Sequence, residues 1–567
     1  MADRYSLAYA IIDVSSHPNK EMCKDLVNEK QASRIVYEYG DSKDINKVNQ
    51  YLVRQFQEAQ LPTTTTTNLD KLQTEILFWQ QLQNIRVDDN GILSLPNGVH
   101  FLGNGANGSQ LYIRESYLEL KDIIFQHFKI YDPSTTVQSN STASNPTYIK
   151  TGFAITGTPG IGKSCFIYYI MWEIAQTKGT ILLRSFHSNC QDSFYLYTYD
   201  SIGAPIVFVG TEGDFDNHFV DKTCYYLVDS KFIGNVAAKT IIVSPPDPSK
   251  YKEFLKSTIA TRRYLPPWSK DELDVVRPLL YPTISHTVLE GLWNKWGGIP
   301  RFVLESGLDP IFQQQIEDSI SGVKLVDCVQ SVGMADPTAP GIDKVIQIIP
   351  IEGSHEKYSR MVLKFSSKYV QQRVTSNVEK DGIDKMIAQL KVPQFLHSPL
   401  GGSFFESICH RALKEGGVFN RRNLDSNIED KVKITKSLST CLIKSIDDIS
   451  GSDDSTYLLP IFSNFPVVDS IIKPNTLFQV TVSESHPPLM EKLTQIIQQL
   501  SVSVQPQKKK QKSHQQNPMF HLYFVVPEDI YPIFTKQYYL TTKNTQAVNL
   551  TTEVQQITQY ALLLSLK

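Results

Sequence analysis

An α/β fold built on a mostly parallel sheet, with a helical extension and a C-terminal α+β domain, is predicted by three features of this chain. From residue 149, short apolar runs alternate with helical segments: Phe153 to Thr156, Ile181 to Arg184, Pro205 to Val209, Cys224 to Val228 and Thr240 to Val243. Runs of this length, separated by helical stretches, read as buried parallel strands. The stretch from Leu273 to about Gln330 keeps helical spacing, and after about residue 345 strand and helix signals mix.

Ahead of this region the pattern is weaker. Asn68 to Ile85 has helical spacing through Leu72, Ile76, Leu77, Trp79 and Leu82. Leu111 to Phe128 reads as a second helix, with Leu118, Leu120, Ile123, Ile124 and Phe128 as its stripe. Three polar stretches read as loops: Thr63 to Thr67, Ser134 to Thr147 and Gln505 to Pro518. Their composition offers too little apolar surface to bury. We divide the chain into residues 1–104, whose role the sequence does not disclose, 105–345, and 346–567.

Bulk properties exclude several classes. The 567 residues hold 56 Lys+Arg against 58 Asp+Glu, a net charge of −2, so no global basic field marks a nucleic-acid binder. Any such site must come from local patches. The cysteines are scattered and form no CxxC pair, which argues against structural zinc and a disulfide framework and for a reducing compartment. No run of 18 apolar residues predicts a membrane span. The stretch Met1 to Ser16 lacks a basic leader and a clean apolar core, so it makes a poor signal peptide. A cytoplasmic or nuclear location is the expectation.

Gly157-Thr-Pro-Gly-Ile-Gly-Lys163-Ser164 fits the phosphate-loop pattern G-x-x-x-x-G-K-[ST]. Glycines let backbone wrap closely around phosphates. Loop N–H groups and the following helix N-terminus favour anions. Lys163 is expected to reach the β- and γ-phosphates, and Ser164 to ligate Mg²⁺. Chance supplies roughly 0.02 such matches in a chain this long. A strand, Phe153 to Thr156, leads in, and an apolar helix, Cys165 to Trp172, leads out. The expected nucleotide contacts are Gly157, Thr158, Pro159, Gly160, Ile161, Gly162, Lys163, Ser164 and Cys165. ATP is expected over GTP because no Asn-Lys-x-Asp signature occurs.

Mg²⁺ also needs a carboxylate at a neighbouring strand end, and Asp229, after Cys224 to Val228, is the candidate. Ser230 follows where many ATPases place a second acid, so hydrolysis is expected to be slow or to draw its base from elsewhere, with Glu212 and Asp214 as substitutes. Ser244, after Thr240 to Val243, either senses the γ-phosphate or belongs to a Ser-Pro turn. Trp296-Gly-Gly-Ile-Pro-Arg301 ends one helix and starts another. Arg301 in that first turn is either a phosphate contact or a surface arginine.

An ordered series of motifs now stands out: Leu111-Tyr-Ile-Arg-Glu115, the phosphate loop, Tyr226-Leu-Val-Asp-Ser230, Val243-Ser-Pro-Pro246, Tyr264-Leu-Pro-Pro-Trp268, Gly297-Gly-Ile-Pro-Arg301, Leu477-Phe-Gln-Val-Thr481 and His486. Across roughly residues 105 to 535 the chain resembles the Crinkler effectors and the related retrotransposon hot spot proteins. The resemblance implies a P-loop NTPase module of the AAA/STAND type joined to a restriction-endonuclease-like domain of the PD-(D/E)XK type. It also implies secretion into a host, although the LFLAK-type header of many Crinklers is not found.

Such a domain implies a metal-dependent phosphodiester site, with DNA as partner. Its candidate residues are Glu406 in the helical stretch Ser403 to Leu413, Asp469 at the start of a hairpin, and Gln479 on the second hairpin strand. Glu406 and Asp469 are the expected metal ligands. Gln479 stands where a charged ligand is usual, and Thr481, on the same strand face, stands where lysine is expected. Lys473, Lys492 or His486 could supply the missing group. Lys508-Lys-Lys-Gln-Lys512 is a nuclear import signal, a phosphate contact or a solvated loop. The expected function is an ATP-hydrolysing effector acting on DNA, with self-association as a further expectation. The rival is a nucleotide-switched binding protein with an inactive nuclease-like domain.

Overall fold

The computed structural model describes residues 66–131, 150–185, 193–229, 236–332, 342–354, 356–453, 456–460, 467–502 and 519–566. The readings of Met1 to Ser16, Ser134 to Thr147, Ser230, Gln505 to Pro518 and Lys508 to Lys512 fall outside these residues, and of the loop expected at Thr63 to Thr67 only Thr66 and Thr67 are described, where they start a helix instead. The chain divides into two compact units, Met1–Thr156 with Gly162–Leu265, and Gly157–Ile161 with Pro266–Lys567.

The first unit is built on a seven-stranded sheet. A short antiparallel pair precedes it, β1 (Ile92–Ser94) and β2 (Gln110–Tyr112). The sheet comprises β3 (Gly152–Thr156), β4 (Ile181–Ser185), β5 (Phe194–Tyr199), β6 (Pro205–Gly210), β7 (Tyr225–Asp229), β8 (Lys239–Val243) and β9 (Ala260–Tyr264). Their order is β6-β5-β4-β7-β8-β3-β9. All pairings are parallel except the two made by β5. β3 and β8 are buried along their whole length, as central strands covered on both faces should be. The helix Lys163–Gln176 follows β3 with Phe166, Ile167, Ile170 and Ile174 buried. The helix Thr66–Leu82 docks on β5, where Trp79 Nε1 donates to Thr198 O at 3.0 Å and the Tyr197 hydroxyl donates to Glu75 at 2.6 Å.

The second unit begins with helices Lys270–Leu280, His286–Trp296, Pro310–Gly322 and Leu325–Ser331. Ser269 and Asp309 accept backbone N–H bonds at two of their N-termini, and Gly297, at φ 65°, ends the second helix. A hairpin of β10 (Ile346–Pro350) and β11 (Met361–Phe365) follows. Next come helix Lys368–Leu390, broken at Gly382, and helix Pro399–Glu415.

An eight-stranded sheet completes the unit. It contains β12 (Gly417–Asn423), β13 (Glu429–Ile434), β14 (Ser439–Ile443), β15 (Thr456–Pro460), β16 (Ser470–Ile472), β17 (Thr476–Val480), β18 (Phe520–Val526) and β19 (Ile557–Leu563), in the order β13-β12-β19-β18-β17-β16-β15-β14. β15, β16 and β17 form an antiparallel meander, and helix Met490–Val502 then crosses to β18, parallel to β17. Leu458, Ile471, Leu477, Leu522 and Phe524 pack with Leu493, Ile496 and Ile497 of that helix. The architecture is mixed α/β with parallel sheet segments and helices, as the sequence predicts. In the seven-stranded sheet β5 and β9 are additions to the sequence reading, and the helix expected over Leu111 to Phe128 starts only at Glu115 (Glu115–Tyr131), because Gln110–Tyr112 pairs as β2.

Candidate functional site

In an open α/β sheet, ligands meet the carboxyl ends of the parallel strands. In the first unit those ends are in register. Asp229 of β7 stands opposite Val243 of β8, and Ile155 of β3 stands opposite the same residue. Ser244 follows β8 and its N–H donates to Ile155 O at 3.1 Å. Lys163 and Ser164 open the helix after the loop. Burial pushes the Asp229 carboxyl above its ordinary range, while Ser164 and the Lys163 charge pull it back.

Two hydroxyls here, Thr156 Oγ1 and Ser244 Oγ, are buried without a hydrogen-bond partner among the described residues. A buried orphan hydroxyl costs about 1–3 kcal/mol. Gly162 caps the helix at φ 98°, and a Cβ there would lie 2.6 Å from the Tyr117 hydroxyl, which donates to Gly162 O at 2.6 Å. Polar groups left over at strand ends, a lysine at a helix start and a glycine no other residue could replace fit a triphosphate and its cation. Glu212 and Asp214 lie in the short helical turn Glu212–Phe215, where Asp214 bonds Thr211.

The loop's first residues group with the second unit. Gly160 has φ 78°, and a Cβ on it would meet Arg301 Cβ at 3.0 Å and Ile299 at 3.2 Å. Trp268 Nε1 donates to Ile161 O at 3.0 Å. Thr158 Oγ1 accepts from the Ile348 N–H at 2.9 Å. Gly298 could not carry a side chain, since its Cβ would fall 2.1 Å from Trp268 O. The Pro-Pro-Trp and Gly-Gly-Ile-Pro-Arg motifs thus meet each other and this stretch of loop. Arg301 opens the turn Arg301–Glu305 with its side chain exposed beside Gly160.

The C-terminal candidates also converge. Glu406, on helix Pro399–Glu415, pairs with Lys368 and accepts from Gln371 Nε2 at 2.7 Å, with His410 Nε2 at 3.3 Å. His410 Nδ1 lies 2.8 Å from the Tyr457 hydroxyl, which donates to Ser470 at 2.6 Å. Asp469 Oδ2 accepts from Gln479 Nε2 and from the Val480 N–H, both at 2.8 Å. A cleft of about 440 Å³ opens beside Glu406, lined also by Lys368, Gln371, His410, Arg411 and Lys414.

Burial alone would raise the Glu406 carboxyl, but the charges of Lys368 and His410 outweigh it and hold the group below its ordinary range. Asp469 is pushed up to about 6 by burial and by the nearby Glu406 charge, against the pull of Lys368. Burial would lower Lys368, yet Glu406 and Asp469 raise it. Among the described residues no group of three or more His, Cys, Asp or Glu is placed to hold a metal ion.

The cation proposed from sequence is placed differently. Lys473 is buried and donates to Ser450 O at 3.4 Å and to Ser452 O. Lys492 is exposed on its helix, and His486 is exposed with its backbone N–H on Gln537 at 2.7 Å. Thr481 is buried and accepts from the Ser483 N–H at 3.1 Å. Lys368 supplies the charge at Glu406 instead. It lies on another helix, 38 positions away, so no local pattern announces it. His410 was findable, since it sits four residues after Glu406 on one helix face.

Fold and sites together describe a mixed α/β protein with a glycine-rich loop at the strand ends of one sheet and a half-buried charge cluster beside another. No protein-family model matches the chain. It is 26% identical over 395 residues to Crinkler effector protein 15 of Phytophthora infestans, covering 66% of this chain and 59% of that protein. It is 26% identical over 393 residues to Crinkler effector protein 16 of the same organism, with the same coverages of 66% and 59%. The chain therefore spans about 59% of the length of the relatives it matches. This similarity supports the Crinkler resemblance read from the motifs. Among the described residues no helix is long and apolar enough to cross a membrane.

Proposed function

We propose that this chain is a Crinkler-type effector that binds and hydrolyses Mg²⁺–ATP through a P-loop NTPase fold. The observation that carries the reading is a glycine-rich loop that leads from β3 into helix Lys163–Gln176, with Asp229 at the end of in-register parallel strands. Lys163 would hold the β- and γ-phosphates, and Ser164 with Asp229 would hold Mg²⁺. ATP would supply the phosphoanhydride bond, and Mg²⁺ the charge that balances its phosphates. Thr156 and Ser244 offer hydroxyls to the phosphates or their waters. Asp229→Asn should keep nucleotide binding and lose most turnover. Turnover equal to wild type would remove Asp229 from the site.

In the C-terminal part, a helix with Glu406, a meander with Asp469 and Gln479, a crossing helix and a parallel strand support a restriction-endonuclease-like reading. In this reading that part acts on DNA with Glu406 and Asp469 as metal ligands. The second reading, a nucleotide-switched binding protein, is favoured by the fact that Lys368, Gln371 and His410 already surround Glu406. Metal-dependent cleavage of plasmid DNA, lost in a Glu406→Ala/Asp469→Ala pair, selects the first. No cleavage by wild type in any metal selects the second.

A further inference from the structure

We propose that Thr158 is the start of a mechanical relay, contained in the second unit, that ties the phosphate loop to Lys368 and so to Glu406. The proposal rests on the nucleotide-binding reading and adds to it a route by which occupancy of the loop is felt at the C-terminal centre.

The first link is the Ile348 N–H donating to Thr158 Oγ1 at 2.9 Å, with both residues buried. Ile348 lies on β10, whose one strand neighbour among the described residues is β11. Its N–H therefore reaches past the hairpin to find an acceptor. A buried N–H that loses its acceptor is left unpaired, so the hairpin must follow Thr158 or break away from it.

The second link is the hairpin register. Ile346 pairs with Phe365 and Ile348 with Leu363, so a shift of β10 is carried by β11. Only Ser366 and Ser367 separate β11 from Lys368, and both are anchored. The Ser366 N–H donates to Val345 O at 2.8 Å. Ser367 Oγ donates to Lys295 O at 2.9 Å and accepts from the Val370 N–H at 3.2 Å. Gln347 Nε2 reaches Trp296 O at 3.1 Å. Ser366 O sits so close to Gly297 that a Cβ there would lie 2.0 Å away. The last link is Lys368, first residue of its helix, paired with Glu406.

The loop is gripped from the same side at Gly160 by Ile299 and Arg301, which continue the chain from Gly297. Movement of the loop thus has two short paths into one set of packed residues, and neither contains a flexible connector. Phosphates drawn onto the loop backbone fix the Thr158 hydroxyl, which fixes the hairpin and the start of the Lys368 helix.

The test is hydrogen–deuterium exchange of the full chain, read by mass spectrometry, with and without saturating Mg²⁺ and a non-hydrolysable ATP analogue. Protection of helix Lys163–Gln176 reports that nucleotide is bound. In wild type, β10, β11 and the first turn of the Lys368 helix should exchange roughly tenfold more slowly with nucleotide. Thr158→Val, compared at nucleotide saturation, should lose that response in the hairpin and the Lys368 turn, and Thr158→Ser should restore it. Ile348→Pro removes the donor from the other side and should give the same loss, which covers a Thr158→Val that folds poorly. A hairpin that ignores nucleotide in wild type while helix Lys163–Gln176 is protected overturns the relay and leaves the nucleotide site standing. A hairpin response that survives Thr158→Val and Ile348→Pro also overturns it. Absence of protection anywhere overturns the nucleotide reading, and the relay falls with it.

Discussion

The two candidate sites treat their polar groups in opposite ways. At the strand ends of the seven-stranded sheet, Thr156 and Ser244 keep buried hydroxyls without a partner among the described residues. Beside the eight-stranded sheet, Glu406 has three side-chain donors and Asp469 has two further N–H donors. The first arrangement is costly until something polar arrives. The second satisfies itself by pairing internal charges. A site that leaves hydroxyls unpaired and a site that holds its own counterion need not respond alike to substitution, and that difference can be measured.

The largest expected effect lies at the self-paired centre. Glu406→Gln leaves half-buried Lys368 without its ion-pair partner and should destabilise the fold by up to about 4 kcal/mol at neutral pH, read from denaturant unfolding. A loss within the range of a surface substitution would show that the pair is solvated and the contrast false.

Next is Asp469, whose carboxyl is pushed up to about 6 in the folded chain, above its unfolded value of about 3.9. Its cost is absent below the unfolded value, where the group is protonated in both states, and appears as pH rises through the folded value. Asp469→Asn should therefore gain stability over wild type between about pH 4 and pH 7, by up to about 3 kcal/mol. A gain that shrinks as pH rises would reverse the sign of the coupling. Thermal unfolding across that range decides it.

The smallest effect lies at the other site. Ser244→Ala removes an unpartnered hydroxyl and should raise stability without nucleotide by about 1 kcal/mol. The same substitution should weaken ATP binding several-fold. A loss of stability would mean that the hydroxyl already has a partner.

This contrast follows how each site could be read in the sequence. The phosphate loop is legible because its parts are contiguous: a strand, glycines at the turns, Lys163, Ser164 and an apolar helix. Asp229 is legible as the polar end of an apolar strand. β9 was hidden by Arg262 and Arg263, whose charges mask a strand that seats them over Tyr264 and Phe153. β5, Phe194 to Tyr199, carries a clear aromatic signal, but its antiparallel pairings set it apart from the alternating pattern used to find its neighbours. At the second centre Glu406, Asp469 and Gln479 were found through a resemblance. The lysine that completes it was not, because Lys368 and Glu406 meet only through the packing of two helices.

Both sites gain their meaning from the proposed binding of Mg²⁺–ATP at the loop. Calorimetric titration of ATP into the full chain, with and without Mg²⁺ and beside Lys163→Ala, tests it most directly. The account predicts Mg²⁺-dependent binding to wild type and a roughly 100-fold weaker affinity once the lysine's charged contacts are gone. Equal binding by both proteins, or none by wild type, would contradict it.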